Sequence, residues 1–477
     1  MKVRYVSEIS GKKADALVFG VFEGLKELFK EEVNQLKKLN FKGKVGQVVT
    51  LPGEGNFKSV VYVGLGKKSE LNLEKVRLAV AKGVKAAEKG GAKKVIVDFP
   101  EVEKLGDKEA RAIAEGIVIG TYKFSKYKKE KDESKLTKVS VAGRKEYKKS
   151  FEKGKVFAEA VNFVRDLVNE PGNVITPERL AEVSQELAAK YGFECKVFYE
   201  EALEKEEMVG ILTVGGGSKN PPRFIHLSYK PKKAGRKVVL VGKGVTFDSG
   251  GLNIKPEQFM KTMKSDKAGA CAVLGIMKII GELKPGVEVH ALIPTVENMP
   301  DGKAYRPDDI IVYKNGVSVE VHSTDAEGRL ILVDALIYGS ELEPDVMIDM
   351  ATLTGACVVA LGHYTSGLFT EDDRLASKIL KIAEETGDKM WRMPLDEDLK
   401  EDIKGTYADV QNVGKSRYGG AITAALFLQK FVDDEKVKSW AHIDIAGPAF
   451  LDREWKYYAP GATGQPVRTI AETILEG

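Results

Sequence analysis

Val238-Val-Leu-Val-Gly-Lys-Gly-Val-Thr-Phe-Asp-Ser-Gly-Gly251 decides the architecture of the larger part of the chain. Its first four residues are a short, continuous apolar run, the pattern of a strand buried on both faces of a parallel sheet. The run feeds a glycine-rich loop, whose backbone can turn sharply and approach a ligand closely. Helical patterns follow. Ala268-Gly-Ala-Cys-Ala272 opens one with small residues, and Leu330-Ile-Leu-Val-Asp-Ala-Leu336 reads as a buried helix start. Strand, loop and helix in alternation predict an α/β fold with a mixed, mainly parallel sheet flanked by helices. Open sheets of this kind place their sites outside the carboxyl ends of the central strands.

The same alternation runs through the first third of the chain. Ala16–Phe19, Val60–Val63 and Val95–Asp98 read as strands. Leu25, Leu28, Phe29, Val33 and Leu36 recur at helical spacing, and a helix over Leu73–Lys89 stops at Gly90-Gly91. A chain of 477 residues is longer than one hydrophobic core usually serves. A turn-rich, hydrophilic stretch ends where a helix begins near Phe151. Two domains are therefore expected, an N-terminal α/β domain over residues 1–150 and the site-bearing domain over 151–477. Gly64-Leu-Gly-Lys-Lys-Ser69 resembles a phosphate loop only superficially, because the first glycine is missing at the required spacing.

Lys+Arg at 74 against Asp+Glu at 70 leaves a net charge of +4, a balance that does not demand a nucleic-acid partner. Thr121–Lys155 is richer, with 13 Lys or Arg against 5 Asp or Glu, and Tyr122, Phe124, Tyr127 and Tyr147 lie among them. Basic residues with aromatics can bind nucleic acid, but a solvated connector is the simpler reading. Cys195, Cys271 and Cys357 form no CxxC pair and fit a reducing compartment. Met1-Lys-Val-Arg-Tyr5 leads into no signal-peptide core, and no apolar run reaches the length of a membrane span. A cytoplasmic protein with no membrane partner is expected.

Charge gathers in two places. The first holds Lys243, Asp248, Lys255 and Met263-Lys-Ser-Asp266. The second is Ser323-Thr-Asp-Ala-Glu-Gly-Arg-Leu330, where Asp325, Glu327 and Arg329 stand two apart. In an extended segment all three would leave by one face. Four carboxylates on apolar scaffolding need compensating positive charge. Lys243, Lys255 and Arg329 supply some of it, and one or two divalent cations would supply the rest. The histidines (His226, His290, His322, His363, His442) are scattered and form no HExxH. The site would therefore be oxygen-rich, suiting Mg²⁺ or Mn²⁺ as readily as Zn²⁺. A two-metal phosphatase or nuclease would also use such a cluster, with added cationic clamps for phosphate.

Gly242-Lys-Gly-Val-Thr-Phe-Asp-Ser-Gly-Gly-Leu-Asn-Ile-Lys-Pro256, Met263-Lys-Ser-Asp266 and Thr324-Asp-Ala-Glu-Gly-Arg-Leu330 together resemble the signature of the leucyl aminopeptidase (cytosol aminopeptidase) family. Ala351-Thr-Leu-Thr-Gly-Ala356, His442-Ile-Asp-Ile-Ala-Gly447 and Gly461-Ala-Thr-Gly464 extend the likeness, in order, from about Arg165 to the end. The first domain matches only in size and α/β character. The resemblance implies hydrolysis of the N-terminal residue of peptides, leucine-like by preference, through a water bridging two divalent metals. Mn²⁺ or Zn²⁺ is implied first, with Mg²⁺ or Co²⁺ as alternatives. Lys243, Asp248, Asp266 and Glu327 would bind one metal, and Asp248, Asp325 and Glu327 the other. Lys255 would polarise the scissile carbonyl, and Arg329 would hold a bicarbonate acting as general base. The substrate's α-amine would sit beside Asp266, with Met263, Thr352, Leu353 and Gly355 lining the cleft. A homohexamer is implied as well. The chain departs from the family at Ser323, where Asn is usual, at Lys267, where Met is usual, and at Gln465-Pro466, where an aromatic-Gly pair is usual.

Overall fold

The computed structural model describes residues 1–476 except 8, 10, 27, 104, 105 and 131–133. It divides into two compact units. One comprises Met1–Asn162, Glu385–Gly387 and Asp452–Pro460, and the other Phe163–Glu384, Asp388–Leu451 and Gly461–Gly477.

The first unit is built on a sheet of β1 (Lys2–Val6), β2 (Ala14–Phe22), β3 (Val48–Pro52), β4 (Phe57–Gly66), β5 (Lys94–Asp98) and β6 (Lys138–Ala142). The strand order is β1-β6-β5-β2-β4-β3, parallel except where β3 meets β4. Val18, Val63, Val80, Val97 and Ile113 form its core, with Phe151 buried among them. The helix Leu73–Lys89 starts at Asn72, whose side chain accepts the Lys75 N–H at 2.9 Å. The periodic run from Leu25 is shorter as a helix than its spacing predicts, spanning Lys30–Lys38. Leu25 has φ +54°, a left-handed conformation that no α-helix continues. Gly64 lies inside β4, where a Cβ would collide with the Lys44 carbonyl, so this glycine serves close strand approach.

The division between the units falls within the helix Lys148–Asn169, at Asn162, rather than near residue 150. The first half of that helix is held by its own unit. A Cβ on Gly154 would come within 2.6 Å of the Arg111 carbonyl, and Asn162 donates to the Val118 carbonyl at 2.9 Å. Of the basic stretch Thr121–Lys155, residues 131–133 lie outside the described residues. Lys138–Ala142 is β6 and Phe151 is buried, so the stretch is not one exposed face.

The second unit holds β7 (Glu194–Phe198), β8 (Arg223–Tyr229), β9 (Lys237–Gly242), β10 (Gly244–Asp248) and β11 (Glu288–Asn298). It continues with β12 (Ile310–Val312), β13 (Ser318–Glu320), β14 (Val346–Ala351), β15 (Ser366–Phe369), β16 (Met390–Arg392), β17 (Val410–Gln411) and β18 (Trp440–Asp444). The main sheet runs β16-β15-β18-β14-β9-β11-β8-β7, with β10 added beside β11, while β12, β13 and β17 form a small separate sheet. Its centre, β18-β14-β9-β11, is parallel, and antiparallel pairs occur at β15–β18 and at β11–β8–β7. Val238–Val241 is buried throughout β9, as its apolar run predicts. The glycine loop is a short strand in part: Gly244–Asp248 pairs with Thr295–Asn298, because β11 extends beyond β9 and offers free edge groups. Five carboxyl ends therefore gather, at Gly242, Asp248, Asn298, Ala351 and Asp444. Among the described residues no helix is long and apolar enough to cross a membrane.

Candidate active site

The strand ends supply the site. Lys243 follows β9, Asp248 ends β10, and Thr352 follows β14. Asp266 comes from the tight turn Met263–Lys267, directly ahead of the helix Ala268–Leu283. The second charged cluster is not an extended segment. Asp325 sits in a turn, and the helix Glu327–Ser340 begins at Glu327, so Glu327 and Arg329 belong to its first turn. A carboxylate at a helix N-terminus is favoured by the dipole, and the glycine between them lets this turn lie against Lys243.

Asp248, Asp325 and Glu327 each offer an oxygen, and these oxygens lie within 4.8 Å of one another. Lys255 Nζ spans two of the three residues, at 2.8 Å from Asp248 Oδ2 and 2.5 Å from Asp325 Oδ1. Lys243 Nζ lies 2.9 Å from Asp266 Oδ1 and 2.8 Å from Glu327 Oε1, and donates to the Thr352 carbonyl at 2.9 Å. Thr352 Oγ1 donates to Asp266 Oδ1 at 2.7 Å. Asp266 Oδ2 is buried and has no hydrogen-bond partner among the described residues.

The electrostatics show a pocket short of positive charge. Burial, then the Glu327 and Asp266 carboxylates, push Asp248 up to about 8. Burial likewise raises Asp266 and Asp325. Burial opposes the charge of Glu327 too, but Lys243 and Lys255 outweigh it and hold this carboxyl below its ordinary range. Both lysines are raised, because the surrounding carboxylates overcome the cost of burying them. Arg329 is buried, which lowers it to about 10. Its Nη1 donates to the Asn412 carbonyl at 2.6 Å, while its Nε has no hydrogen-bond partner among the described residues. An oxygen-rich donor set, an orphaned buried carboxylate oxygen and a carboxyl raised to about 8 fit a divalent cation.

The structure thus brings together Lys243, Asp248, Lys255, Asp266, Asp325 and Glu327, with Thr352 against Asp266. Leu353 donates its N–H to Asp444 Oδ1 at 3.2 Å, and Gly355 opens the helix Gly355–Leu361. Met263 opens the turn that carries Asp266. Several uncharged residues brace these loops, and one further carboxylate, Asp444, braces the turn after β14. Asn412 accepts the N–H groups of His322 and Ser323 and donates to the Ser323 carbonyl at 2.7 Å, fixing the approach to Asp325. Asn253 and Thr324 bond each other across the two loops. Asp444 accepts from Thr354 Oγ1 at 2.7 Å as well as from Leu353.

Residues 162–471 match the catalytic domain of the cytosol aminopeptidase family, and residues 7–131 its N-terminal domain. The chain belongs to the cytosol aminopeptidase family. Membership makes it a peptidase, a metal-dependent aminopeptidase in its general chemistry, and extends the likeness to the first domain. It is 50% identical to a probable cytosol aminopeptidase of Persephonella marina, over 99% of this chain and 97% of the relative. It is 49% identical to one of Aquifex aeolicus, over 100% and 98%. A tomato leucine aminopeptidase mutant superposes with a TM-score of 0.90 at 35% identity, covering 100% of this chain and 97% of the other. The bottromycin maturation enzyme BotP, solved in complex with Mn, superposes with a TM-score of 0.89 at 37% identity, covering 97% and 99%.

Proposed function

We propose that this aminopeptidase removes leucine-like N-terminal residues from peptides at a pair of divalent cations held by the strand-end carboxylates. The observation that carries the reading is the convergence of Asp248, Asp266, Asp325 and Glu327 on Lys243 and Lys255, with the buried Asp266 Oδ2 left without a partner among the described residues. Lys243, Asp248, Asp266 and Glu327 would hold one cation, and Asp248, Asp325 and Glu327 the other, with Lys243, charged in the metal-free site, ligating as the neutral amine once the cations' own charge drives off its proton. Mn²⁺, as in the BotP complex, or Zn²⁺ suits this set, and Mg²⁺ and Co²⁺ are the alternatives. Such a pair polarises the scissile carbonyl and lowers the pKa of water.

The remaining work falls to the chain's own groups. Lys255 is a mostly buried ammonium whose donors aim into the carboxylate cluster, the placing needed to stabilise an oxyanion. Arg329 would hold a bicarbonate, the general base, through the Nε that no group among the described residues satisfies. Asp266 would receive the substrate's free α-amine, which confines cleavage to the first residue. Met263, Thr352, Leu353 and Gly355 would line the cleft for its side chain. The proposal includes a homohexamer, for which exposed Leu252, Ile254 and Phe259 on one short segment offer apolar surface, and a cytosolic location after the relatives' name.

Hydrolysis of leucine-p-nitroanilide before and after chelation, with Mn²⁺, Zn²⁺, Co²⁺ or Mg²⁺ restored singly, tests the reading. Loss on chelation with rescue by a divalent ion is expected. Lys255→Ala and Asp325→Ala should abolish turnover in folded protein, and wild-type-like turnover in either would sink the assignment.

A further inference from the structure

Asn298 ends β11 directly beside Asp248, its partner in the register of β10 and β11, and is completely buried. Its side-chain NH₂ gives both hydrogens to the site loops. One goes to Asp248 Oδ1 and the other to the Thr324 carbonyl, each at 2.9 Å. Asp248 Oδ1 already accepts the Gly250 N–H and the Thr324 group is a carbonyl, so the chemistry fixes which way the amide faces. Its backbone carbonyl accepts the Ser249 N–H at 3.0 Å and the Ser249 hydroxyl at 2.7 Å. One residue thus grips the loop after Asp248 and the loop that leads into Asp325, segments far apart in sequence.

The consequence for Asp248 is specific. Oδ1 accepts from the Gly250 N–H at 2.8 Å and from Asn298, which leaves Oδ2, facing Lys255, as the oxygen available to a cation. The space around Asn298 is closed on its other side, where a Cβ on Gly251 would stand 2.8 Å from Asn298 Oδ1. The Thr324 carbonyl takes a second hydrogen bond from the Tyr305 hydroxyl, at 2.7 Å. Asparagine is the side chain of this size that presents two N–H donors to two acceptors. Aspartate in its place would face a carboxylate and a carbonyl with oxygens, and alanine would leave Asp248 Oδ1 held by the Gly250 N–H alone.

We infer that Asn298 is a positioning residue of the metal site, setting the Asp248 carboxylate and the Asp325 loop in the arrangement that captures divalent cations. The inference rests on the metal-site reading proposed above. Partners that orient a ligand typically contribute about 10–100-fold in metal affinity. The test is calorimetric titration of the metal-free, full-length chain with Mn²⁺, comparing wild type, Asn298→Ala, Asn298→Asp and Asp248→Ala. Circular dichroism and thermal melts establish that each variant is folded. Asn298→Ala is expected to bind Mn²⁺ about 10–100-fold more weakly than wild type. Asn298→Asp, which keeps the volume and tests the point should the alanine variant fail to fold, is expected to lose at least as much. Tyr305→Phe, which removes a bond to Thr324 without touching Asp248, should lose less than either. A folded Asn298 variant that binds within about threefold of wild type, while Asp248→Ala has lost binding, overturns the inference. Wild-type affinity in Asp248→Ala would instead overturn the metal-site reading itself.

Discussion

Gly328→Ala sets helix propensity against the site, and the structure says which wins. Gly328 stands in the first turn of Glu327–Ser340, where alanine is ordinarily better by up to about 1 kcal/mol. Its Cβ, however, would stand 2.6 Å from Lys243 Nζ and 2.8 Å from Lys243 Cδ. Ordinary contact needs about 3.5 Å, so the lysine must retreat by about 1 Å or leave. Retreat breaks its bonds to Asp266 Oδ1 (2.9 Å) and Glu327 Oε1 (2.8 Å) inside a buried pocket. Charge-assisted bonds contribute about 1.5–3 kcal/mol each, so the loss is about 3–6 kcal/mol and the net destabilisation about 2–5 kcal/mol. Urea melts of the metal-free protein measure that number. Mn²⁺ titration should show weakened binding, and leucine-p-nitroanilide turnover should fall with it. The decisive control repeats the substitution in a Lys243→Ala background, where the obstacle is gone. There Gly328→Ala should be neutral or stabilising, a reversal of sign that a double-mutant cycle reads directly. Destabilisation of equal size in both backgrounds would refute the reasoning, as would a single variant with wild-type stability and metal affinity.

Acid should weaken the fold through His226, whose ring lies 2.9 Å from His290 with Lys196, Lys230 and Glu194 nearby. Burial, aided by His290, pushes His226 down to about 4 from 6.5, so its contribution is complete above pH 6.5 and lost as pH falls through 4. That is about 3 kcal/mol in all, and urea midpoints of metal-free protein between pH 7.5 and 4 should lose this slope in His226→Phe. Asp444→Ala removes the acceptor of Leu353 N–H, Ala446 N–H and Thr354 Oγ1, freeing the turn that holds Thr352 against Asp266. KM for leucine-p-nitroanilide should rise by about tenfold or more, and an unchanged KM in folded protein would show the turn needs no such anchor. Burial raises Asp334 well above the ordinary range while it accepts the Ile211 N–H at 2.7 Å. Asp334→Asn should therefore shift stability by less than about 1 kcal/mol, whereas Asp334→Leu, which orphans that N–H, should cost about 1–3 kcal/mol in thermal melts.

How much of this was legible in the sequence depended on whether the deciding forces were local. Val238–Val241 announced a buried parallel strand because burial on both faces leaves only apolar residues to choose from. Gly90-Gly91 bounded the helix Leu73–Lys89 because helix stops act within one turn. The segment Asp325–Arg329 misled because charges two apart fit strand alternation as well as they fit a turn entering a helix. The local pattern does not show that Gly328 fits against Lys243, residues 85 positions apart by their numbers. β10 was hidden for a similar reason, since a glycine-rich loop becomes a strand only when an edge such as Thr295–Asn298 is present to pair with.

The charged members of the site were legible because charge beside apolar runs is costly and therefore conspicuous. Asn298 and Asn412 were not, although each bonds to the loops that carry the charges. An amide has no net charge to betray it, and its value lies wholly in which two acceptors the fold brings within 3 Å. The same logic explains the domain boundary. Residues 385–387 and 452–460 join the first unit through partners such as Arg77, whose Nη2 donates to the Glu385 carbonyl at 2.8 Å, and Glu74, which meets Lys456 at 2.7 Å. Linear sequence marks where a domain's local pattern changes, but only tertiary pairing assigns two short segments to a core more than 200 positions away. The residues that make chemistry possible here were readable from their charge, and the residues that hold them in place became visible only in three dimensions.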